Sequence, residues 1–332
     1  SQLSRQLNWN TLTPPNFPIG ASTRELGMNT NRAEYLPHEG VMMEEVSSII
    51  KDAPSGVFVD ATYGYGSHFN LINKFEHLNI LGFDRDLESI NNSQEEHNVF
   101  HLNFSDIYSF LSSNNYLPIS GILYDFGLSS HQIDSDLRGF SFQKNTNLDM
   151  RMNTKQKLSA EKIVNNYSEK ELTNVLKNYS EDKFSKKIAR KIIESRPIKT
   201  TTELTNVIRE AVPKQNPIFT DKTIRRIFQA LRIEVNNELN EIQDSLNSIK
   251  NIINKNGIIV CISYHSLEDK IVKSFFSEIT TYCICEPTIP ICKCDIVQQF
   301  TYPKKKKYTP SDKEKVYNPR SKSAIMRYVV KL

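Results

Sequence analysis

The stretch VFVDATYGYGSHF, residues 57–69, decides the class of fold. An apolar run leads directly to Asp60, and Gly64 and Gly66 then precede a histidine and a phenylalanine. Apolar residues that end at glycines and continue into an amphipathic segment are typical of a buried strand that turns tightly into a helix. Turns of this kind hold nucleotide-like cofactors at the carboxyl edge of a parallel sheet.

Strand-like segments recur along the chain. The segments NILGFDRD, VFHLNFSD and ISGILYDFGLSS predict a second, a third and a fourth strand, with helical patterns between them. NGIIVCISYHS and SAIMRYVVKL predict two more strands in the last third of the chain. Strands separated by helices imply a parallel sheet with helices on its faces, so we expect an α/β fold with a Rossmann-like sheet.

A helical block interrupts this alternation. Residues 159–212 show helical periodicity without a strand, and capping boxes that start at Ser168 and Thr200 predict two of the helix starts. Apolar residues at helical spacing from Ile224 to Ile249 then predict one long helix. The sequence therefore predicts that this block is a helical insertion within the α/β domain.

Four ranges describe the expected organisation. We expect one α/β domain in two parts, residues 36–133 and 221–332, with an all-helical substrate-recognition domain inserted at residues 134–220. Residues 1–35 are expected to be a disordered extension or tag outside the fold.

Composition excludes several classes of protein. Of the 332 residues, 38% are hydrophobic, and no apolar run approaches the roughly 18–20 residues that a membrane span needs. The first residues have no apolar core of the kind found in a secretory signal. Four of the five cysteines fall within residues 283–294, which does not resemble a secreted disulfide framework. We expect a cytoplasmic protein without membrane contact, either a monomer or a homodimer.

The clustered cysteines form a C-x-C-x₆-C-x-C pattern at Cys283, Cys285, Cys292 and Cys294. Four thiolates suit a structural Zn²⁺ ion, but each C-x-C pair leaves little room for a common chelate loop. The sequence interpretation therefore assigns no metal and leaves zinc open.

Charge is unevenly distributed. The net charge is +4, but residues 183–226 hold twelve Lys and Arg against four Asp and Glu. Segregation of this kind favours a polyanionic partner. A solvated helical surface is the alternative.

The acids around the glycine turn indicate which cofactor it holds. Asp84 lies 20 residues beyond Gly64, as expected for an acid on a ribose hydroxyl, which fits a nicotinamide cofactor. However, Phe69 replaces the third glycine of that fingerprint, and Asp60 would repel a pyrophosphate. S-adenosylmethionine carries a sulfonium and an ammonium and no phosphate, so Asp60, Asp84 and Asp125 favour methyl transfer. The alternative is that the glycines only form a tight turn and the acids only cap helices.

Longer motifs carry a specific resemblance. From residue 38 to the end the chain contains, in order, HEGVMMEEV, VDATYGYGSH, GFDRD, GILYDFGLSSHQID, RGFSFQKNTNLDMRM, YSEDKFSKKIARKI, FQALRIEVNNEL, ISYHSLEDKIVKSFF and NPRSKSA. In these segments it resembles the bacterial RsmH family, also called MraW, which methylates N4 of a cytidine near the decoding centre of 16S small-subunit ribosomal RNA with S-adenosylmethionine. The resemblance implies a Rossmann-like methyltransferase sheet with a helical domain inserted after the fourth strand, and 16S rRNA or the small ribosomal subunit as partner.

The resemblance also implies cofactor contacts at particular positions. Together with the turn itself they are Asp60, Gly64, Gly66, Ser67, His68, Asp84, Phe104, Asp125 and Gln132. Ser67 and Ala61 stand where the family usually has glycine. If position 67 needs a positive φ, serine costs roughly 1 kcal/mol there.

Candidate catalytic residues follow the fourth and fifth strands. Amino-group methyltransferases commonly place an Asp/Asn-Pro-Pro-aromatic segment where this chain has Asp125-Phe126-Gly127-Leu128. We expect Asp125 to organise the cofactor and the amine, with Ser129 and Ser130 as hydrogen-bond partners. His265 is a further candidate, although a lone histidine is more often structural.

The basic block supplies candidate RNA-binding residues. They are Lys183, Lys186, Lys187, Arg190, Arg196, Arg225, Arg226 and Arg232. Two other functions stay open at this point: a methyltransferase that acts on another RNA or DNA amino group, and a non-catalytic ribosome-assembly factor that binds RNA.

Overall fold

The computed structural model describes residues 40–129, 132, 138–213, 216–285, 294 and 296–332. Within these residues, seven strands form one sheet in the order β3-β2-β1-β4-β5-β7-β6. They are β1 Gly56–Asp60, β2 Leu78–Asp84, β3 Val99–His101, β4 Ile119–Asp125, β5 Ile253–Ser263, β6 Phe300–Thr301 and β7 Ile325–Lys331. Strands β1 to β5 are parallel, and β7 runs antiparallel to both β5 and β6. The predicted α/β fold is confirmed, and only the two-residue β6 was not expected.

Helices flank the sheet and form the insertion. They are α1 Met43–Ile50, α2 Ser67–Ile72, α3 Leu87–Asn91, α4 Ile107–Ser113, α5 Ala160–Asn166, α6 Glu169–Ser180, α7 Ser185–Glu194, α8 Thr201–Ala211, α9 Pro217–Asn236, α10 Glu238–Ile249, α11 Ser266–Ile279 and α12 Asp312–Tyr317. Among the described residues, no helix is long and apolar enough to cross a membrane.

The sheet is buried on both faces because its central strands are apolar on both sides. Val59, Ile122 and Tyr124 face a cluster completed by α4, α10 and α11. Phe58 and Leu123 face a second cluster completed by α1 and α2. Parallel strands covered on both faces place their carboxyl ends, and the loops that follow them, at one edge of a three-layer domain.

The helical block has an apolar core of its own. Helices α5 to α9 bury a cluster in which Leu176, Ile188, Leu204 and Leu231 are fully enclosed. Both predicted capping boxes are present, at the starts of α6 and α8. Because α9 packs into this core as far as Val235, the boundary predicted at residue 220 falls inside a helix, and we propose Asn237 as the end of the insertion.

The prediction of one long helix from Ile224 to Ile249 is wrong. The segment forms two helices, α9 and α10, with Asn237 between them at φ 50°. Asparagine tolerates this left-handed conformation better than most residues because its short polar side chain bonds locally. The apolar periodicity continues across the break, so it could not reveal a change of direction at a single residue.

Candidate active site

A cavity of about 860 Å³ opens at the carboxyl ends of β1, β2, β4 and β5. The sheet contributes Gly64, Asp84 and Asp125 to its wall, and the insertion contributes Phe142 and Phe228. In open α/β sheets this edge is where ligands bind. A volume of this size falls in the range of small-molecule and cofactor sites.

The structure brings most of the predicted site residues to this cavity. Those that line it are Gly64, Ser67, His68, Asp84, Phe104, Asp125, Ser129, Gln132, His265, Arg225 and Arg232. Ser130 lies outside the described residues. Asp60 and Gly66 are buried and do not line the cavity.

The glycine turn is held by the acids on either side of it. Gly64 and Gly66 adopt positive φ angles of 54° and 77°. The Gly64 amide donates to Asp84 Oδ2 at 2.8 Å, and the Thr62 amide donates to Asp60 Oδ1 at 3.1 Å. A Cβ on Gly66 would lie 2.9 Å from the Tyr63 hydroxyl, so a side chain has no room there. The sequence Asp-x₃-Gly-x-Gly therefore specifies a turn that fits against two carboxylates.

Asp60 is fully buried, and its Oδ2 atom makes no hydrogen bond. Burial raises the pKa of Asp60 from 3.8 to about 6, against an opposing effect of nearby His68. An unpartnered carboxylate oxygen in a low-dielectric site is costly unless positive charge arrives nearby.

Asp84 reaches the cavity from the end of β2. Its Oδ1 accepts from the Asp86 amide at 2.8 Å, and its Oδ2 accepts from Gly64. Desolvation raises the pKa of Asp84 to about 6, and the two backbone donors partly offset it. Each oxygen keeps a lone pair, so the carboxylate is fixed in orientation and still able to accept from a ligand.

Asp125 ends β4 at the centre of the cavity edge, with its side chain 18% exposed. Its Oδ1 accepts from the Gly127 amide at 3.2 Å, and His68 Nδ1 lies 3.7 Å from its Oδ2. Burial raises the pKa of Asp125, and His68 and the Tyr264 hydroxyl bonded to it act in the opposite direction. His68 Nε2 donates to the Val41 carbonyl at 2.9 Å, which fixes the direction of the ring.

Tyr264 is a residue that sequence reasoning missed. It directly follows β5, lines the cavity, and donates its hydroxyl to Asp125. A Cβ on Gly127 would lie 2.7 Å from its ring, so the glycine after Phe126 allows the tyrosine to approach. The available signal was its position: an aromatic residue after a buried parallel strand lies at the ligand-binding edge.

His265 belongs to a buried charged cluster beside Tyr264. His265 Nε2 lies 2.9 Å from Glu268 Oε1 without hydrogen-bond geometry, so the contact is electrostatic. Glu268 Oε2 accepts from the Tyr264 amide at 2.7 Å and caps α11. Arg232 pairs with Glu238 through two bonds of 2.8 Å and lies 3.8 Å from Glu268. The acids of this cluster already have a cationic partner, which leaves little attraction for a metal ion.

Residues 35–332 match the model of the MraW methylase family. The chain belongs to that family. The ribosomal RNA small subunit methyltransferase H of Clostridioides difficile (strain 630) is 39% identical over 307 residues, which cover 89% of the chain and 99% of that relative. The protein of the same name from Clostridium botulinum (strain 657 / Type Ba4) is 42% identical over 306 residues, with the same coverage. That from Halothermothrix orenii is 40% identical over 303 residues, covering 88% of the chain and 97% of the relative.

Two departures from the motif of the MraW methylase family have little structural cost. Ser67 is the first residue of α2 and is not among the residues with positive φ, because the left-handed conformations fall on Gly64 and Gly66. The cost of about 1 kcal/mol considered for a positive φ at Ser67 therefore does not arise. Ala61 is buried, and its amide donates to the Leu123 carbonyl at 2.9 Å in an ordinary strand extension.

Gln132 lines the cavity in this member of the MraW methylase family, but its amide group is already bonded. Its Nε2 donates to Asp86 Oδ2 at 2.8 Å, and its Oε1 accepts from the Ser129 amide at 3.1 Å. Arg138 donates to the same Asp86 oxygen at 2.7 Å and to the carbonyls of Arg151 and Met152. Sequence reasoning missed Arg138, which ties the loop after β4 to the end of β2.

The predicted RNA-binding residues fall into two groups. Lys183, Lys186, Lys187, Arg190 and Arg225 are exposed, and of these Arg225 lines the cavity. Arg196 and Arg232 are held by internal partners, Arg196 by the carbonyls of Val164 and Tyr167 and Arg232 by Glu238, which makes these two weaker candidates for phosphate contacts. Arg226 lies 3.9 Å from Asp182 but its side chain is 42% exposed, so it belongs with the exposed group.

The burial of Asp60 predicts a pH-dependent effect of the Asp60→Asn substitution. Because the pKa is raised on folding, the contribution of Asp60 to stability is fully present below about pH 3.8 and is lost as pH rises through about 6. Two pH units correspond to roughly 3 kcal/mol. We therefore measure the free energy of unfolding in urea for Asp60→Asn and for the unsubstituted chain. The value for Asp60→Asn minus that for the unsubstituted chain should increase by roughly 2–3 kcal/mol between pH 4.5 and pH 8. Asp106→Asn is the matched control, because Asp106 is an exposed acid. If the difference in free energy of unfolding between Asp60→Asn and the unsubstituted chain did not change with pH, this would contradict the burial of a charged Asp60.

Proposed function

We propose that the chain is an S-adenosylmethionine-dependent methyltransferase that methylates N4 of a specific cytidine in 16S ribosomal RNA near the decoding centre. The observation that carries the proposal is the position of Asp60, Asp84 and Asp125 at the ends of three neighbouring strands, where Asp84 and Asp125 line the cavity and Asp60 is buried. Methyl transfer to ribosomal RNA is also supported by the names of relatives that align along almost their whole length.

The cavity fits S-adenosylmethionine better than a dinucleotide. The ligand brings an ammonium and a sulfonium, which favour the charged form of acids whose desolvation disfavours it. Asp84 keeps lone pairs that can accept from a ribose diol, and Phe104 lines the same cavity. A pyrophosphate would meet the negative charge of the same acids. When bound, S-adenosylmethionine supplies an electrophilic methyl group.

The insertion supplies a wall suited to an unpaired base. Phe140, Phe142 and Phe228 line the cavity opposite the acids. Bases that leave a stack are commonly held against aromatic side chains, and an exocyclic amine must leave its stack to reach an enclosed site. Lys144 and Arg225, which are exposed at the same cavity, are placed to contact the phosphates of that nucleotide.

Asp125 is the residue that we assign to the amine. The N4 lone pair of cytosine is delocalised into the ring, so the amine needs an acceptor for its hydrogens as it becomes pyramidal. The Asp125 carboxylate accepts hydrogen bonds from the amine. Its raised pKa makes it a stronger base for the proton that the amine releases. Tyr264 and Gly127 hold the carboxylate in one orientation, so little reorganisation is needed.

The exposed face of α7 is our candidate surface for the flanking RNA. Lys186 and Lys187 are exposed on this helix, and Lys183 precedes it with its ammonium 5.0 Å from the Phe184 ring centre and 5.5 Å from that of Phe219. Phosphate contacts of this kind position an RNA without reading its sequence. Base selection is therefore left to the cavity.

The substrate assignment is tested by mapping methylated nucleosides. Ribosomal RNA from cells with and without the gene is digested and analysed by mass spectrometry. We expect N4-methylation of one 16S rRNA cytidine to be lost without the gene and restored by the intact gene. Loss of a different methylated nucleoside would indicate another substrate, and an unchanged pattern would favour a non-catalytic assembly factor.

Asp125→Asn should slow methylation while the fold is retained. The substitution keeps the shape of the side chain but removes the charged acceptor, so we expect a single-turnover rate lower by about 10²–10³-fold. Saturating cofactor and RNA ensure that weaker binding does not imitate slower chemistry. Asp106→Asn serves as the control and should retain the normal rate, since Asp106 is exposed and does not line the cavity. A normal rate for Asp125→Asn would remove Asp125 from the mechanism and shift attention to Ser129, Ser130 and His265.

A further inference from the structure

The proposed methyl transfer leaves the clustered cysteines without a role. In the described part of the chain, the Sγ atoms of Cys283, Cys285 and Cys294 all lie within 4.8 Å of one another. Four thiolates around a tetrahedral zinc ion, each at about 2.3 Å, are separated from one another by about 3.8 Å. The sulfur positions are therefore already close to those of a metal site, although eight residues lie between Cys285 and Cys294.

We propose that these cysteines bind a structural Zn²⁺ ion. Zinc takes four ligands in structural sites, and thiolate is the ligand type that favours zinc over magnesium or calcium. Cys283, Cys285 and Cys294 supply three of these ligands, and Cys292 lies outside the described residues.

The short C-x-C spacing has a physical explanation in the local chain direction. Tyr282 is 74% exposed and Ile284 is 71% exposed, whereas Cys283 and Cys285 are half-buried. This alternation places both cysteines of the pair on the less exposed side of the segment. Both thiols of the pair therefore face inward together, and no chelate loop is needed to bring them to one ion.

A backbone contact supports sulfur as a metal ligand. The Cys285 amide donates to Cys283 Sγ at 3.4 Å. An N–H group directed at sulfur stabilises its negative charge, and contacts of this kind orient and tune metal ligands. The thiolate is the form that binds metal.

The position of the cluster indicates a structural role. Helix α11 starts at the cavity with His265 as its N-cap and runs for 14 residues, about 21 Å, before the cysteine segment begins. The segment then leads to β6, which pairs with Val330 and Lys331 at the end of β7. Val330 pairs with Ile258, near the start of the β5 ladder and away from the cavity edge. The ion would fasten the connection between α11 and the last strands without touching the proposed methyl-transfer site.

Metal analysis of the purified chain tests the proposal. The full-length chain, offered ZnCl₂ under reducing conditions and then desalted, should hold about one zinc per molecule by plasma mass spectrometry. Cys283→Ser and Cys294→Ser should each lower this content by about tenfold or more. Cys261→Ser is the matched control, because Cys261 is buried in β5 and belongs to the sheet core, and it should keep its zinc.

Two further measurements keep the proposal testable if a variant folds poorly. The unsubstituted chain, stripped with a chelator and loaded with Co²⁺, should show thiolate-to-cobalt charge-transfer absorption. Stripping should lower its thermal midpoint, and added zinc should restore it, with S-adenosylmethionine affinity changed less than twofold. Less than about 0.1 zinc per chain after loading, iron in its place, thiols found as disulfides in reducing buffer, or equal loss from Cys261→Ser would overturn the proposal.

Discussion

The structure depends on the placement of carboxylates at the edge of a covered parallel sheet. Asp60, Asp84 and Asp125 end β1, β2 and β4, where little solvent reaches them. Burial raises the pKa of Asp60 and of Asp84 to about 6 and raises that of Asp125 as well. Desolvated carboxylates are costly, and a fold retains them where they interact with a ligand or take part in chemistry. These acids therefore prepare the cavity for positive charge before any ligand enters.

The glycine turn and the helical insertion both serve the placement of these carboxylates at the cavity. The turn lets the Gly64 amide donate to Asp84 and lets Gly66 lie against Tyr63, which a residue with a Cβ would prevent at position 66. The insertion closes the opposite side of the cavity with aromatic residues. Two of its arginines at this boundary are paired: Arg232 with Glu238, and Arg138 with Asp86. The remaining electrostatic imbalance is at the acids, which is where the proposed chemistry takes place.

Much of this site could be predicted from the sequence because its residues end strands. Apolar runs that stop at Asp60, Asp84 and Asp125 specify both the strands and their common edge. Local signals were equally reliable for the capping boxes at Ser168 and Thr200, since these involve residues three positions apart. Contacts between distant segments were not predictable. The bond between Tyr264 and Asp125 joins the residue after β5 to the last residue of β4, and no local pattern records it.

Side-chain partners explain the remaining differences. The sequence shows Arg196 and Arg232 as free positive charges, whereas the fold directs one at backbone carbonyls and the other at Glu238. The apolar periodicity continues across Asn237 because α9 and α10 each bury an apolar face. It therefore does not reveal that one helix ends and another begins at this residue. The spacing of the cysteines argued against a metal, whereas the fold brings the Sγ atoms of Cys283, Cys285 and Cys294 within 4.8 Å of one another. In each case the deciding quantity was a direction in space, which spacing along the chain does not contain.

The central claim is that the carboxylates of this edge hold a cationic cofactor, and proton linkage tests it most directly. S-adenosylmethionine binding is measured by calorimetry from pH 5.5 to pH 8 in two buffers of different ionisation enthalpy, with the uncharged-sulfur analogue S-adenosylhomocysteine as comparison. A cation favours ionised acids, so with pKa values of about 6 for Asp60 and Asp84 the account predicts proton release that is greatest near pH 6 and vanishes by pH 8. The release should be larger for S-adenosylmethionine than for the analogue. Proton uptake on binding, or equal pH-independent affinity for both ligands, would contradict the account.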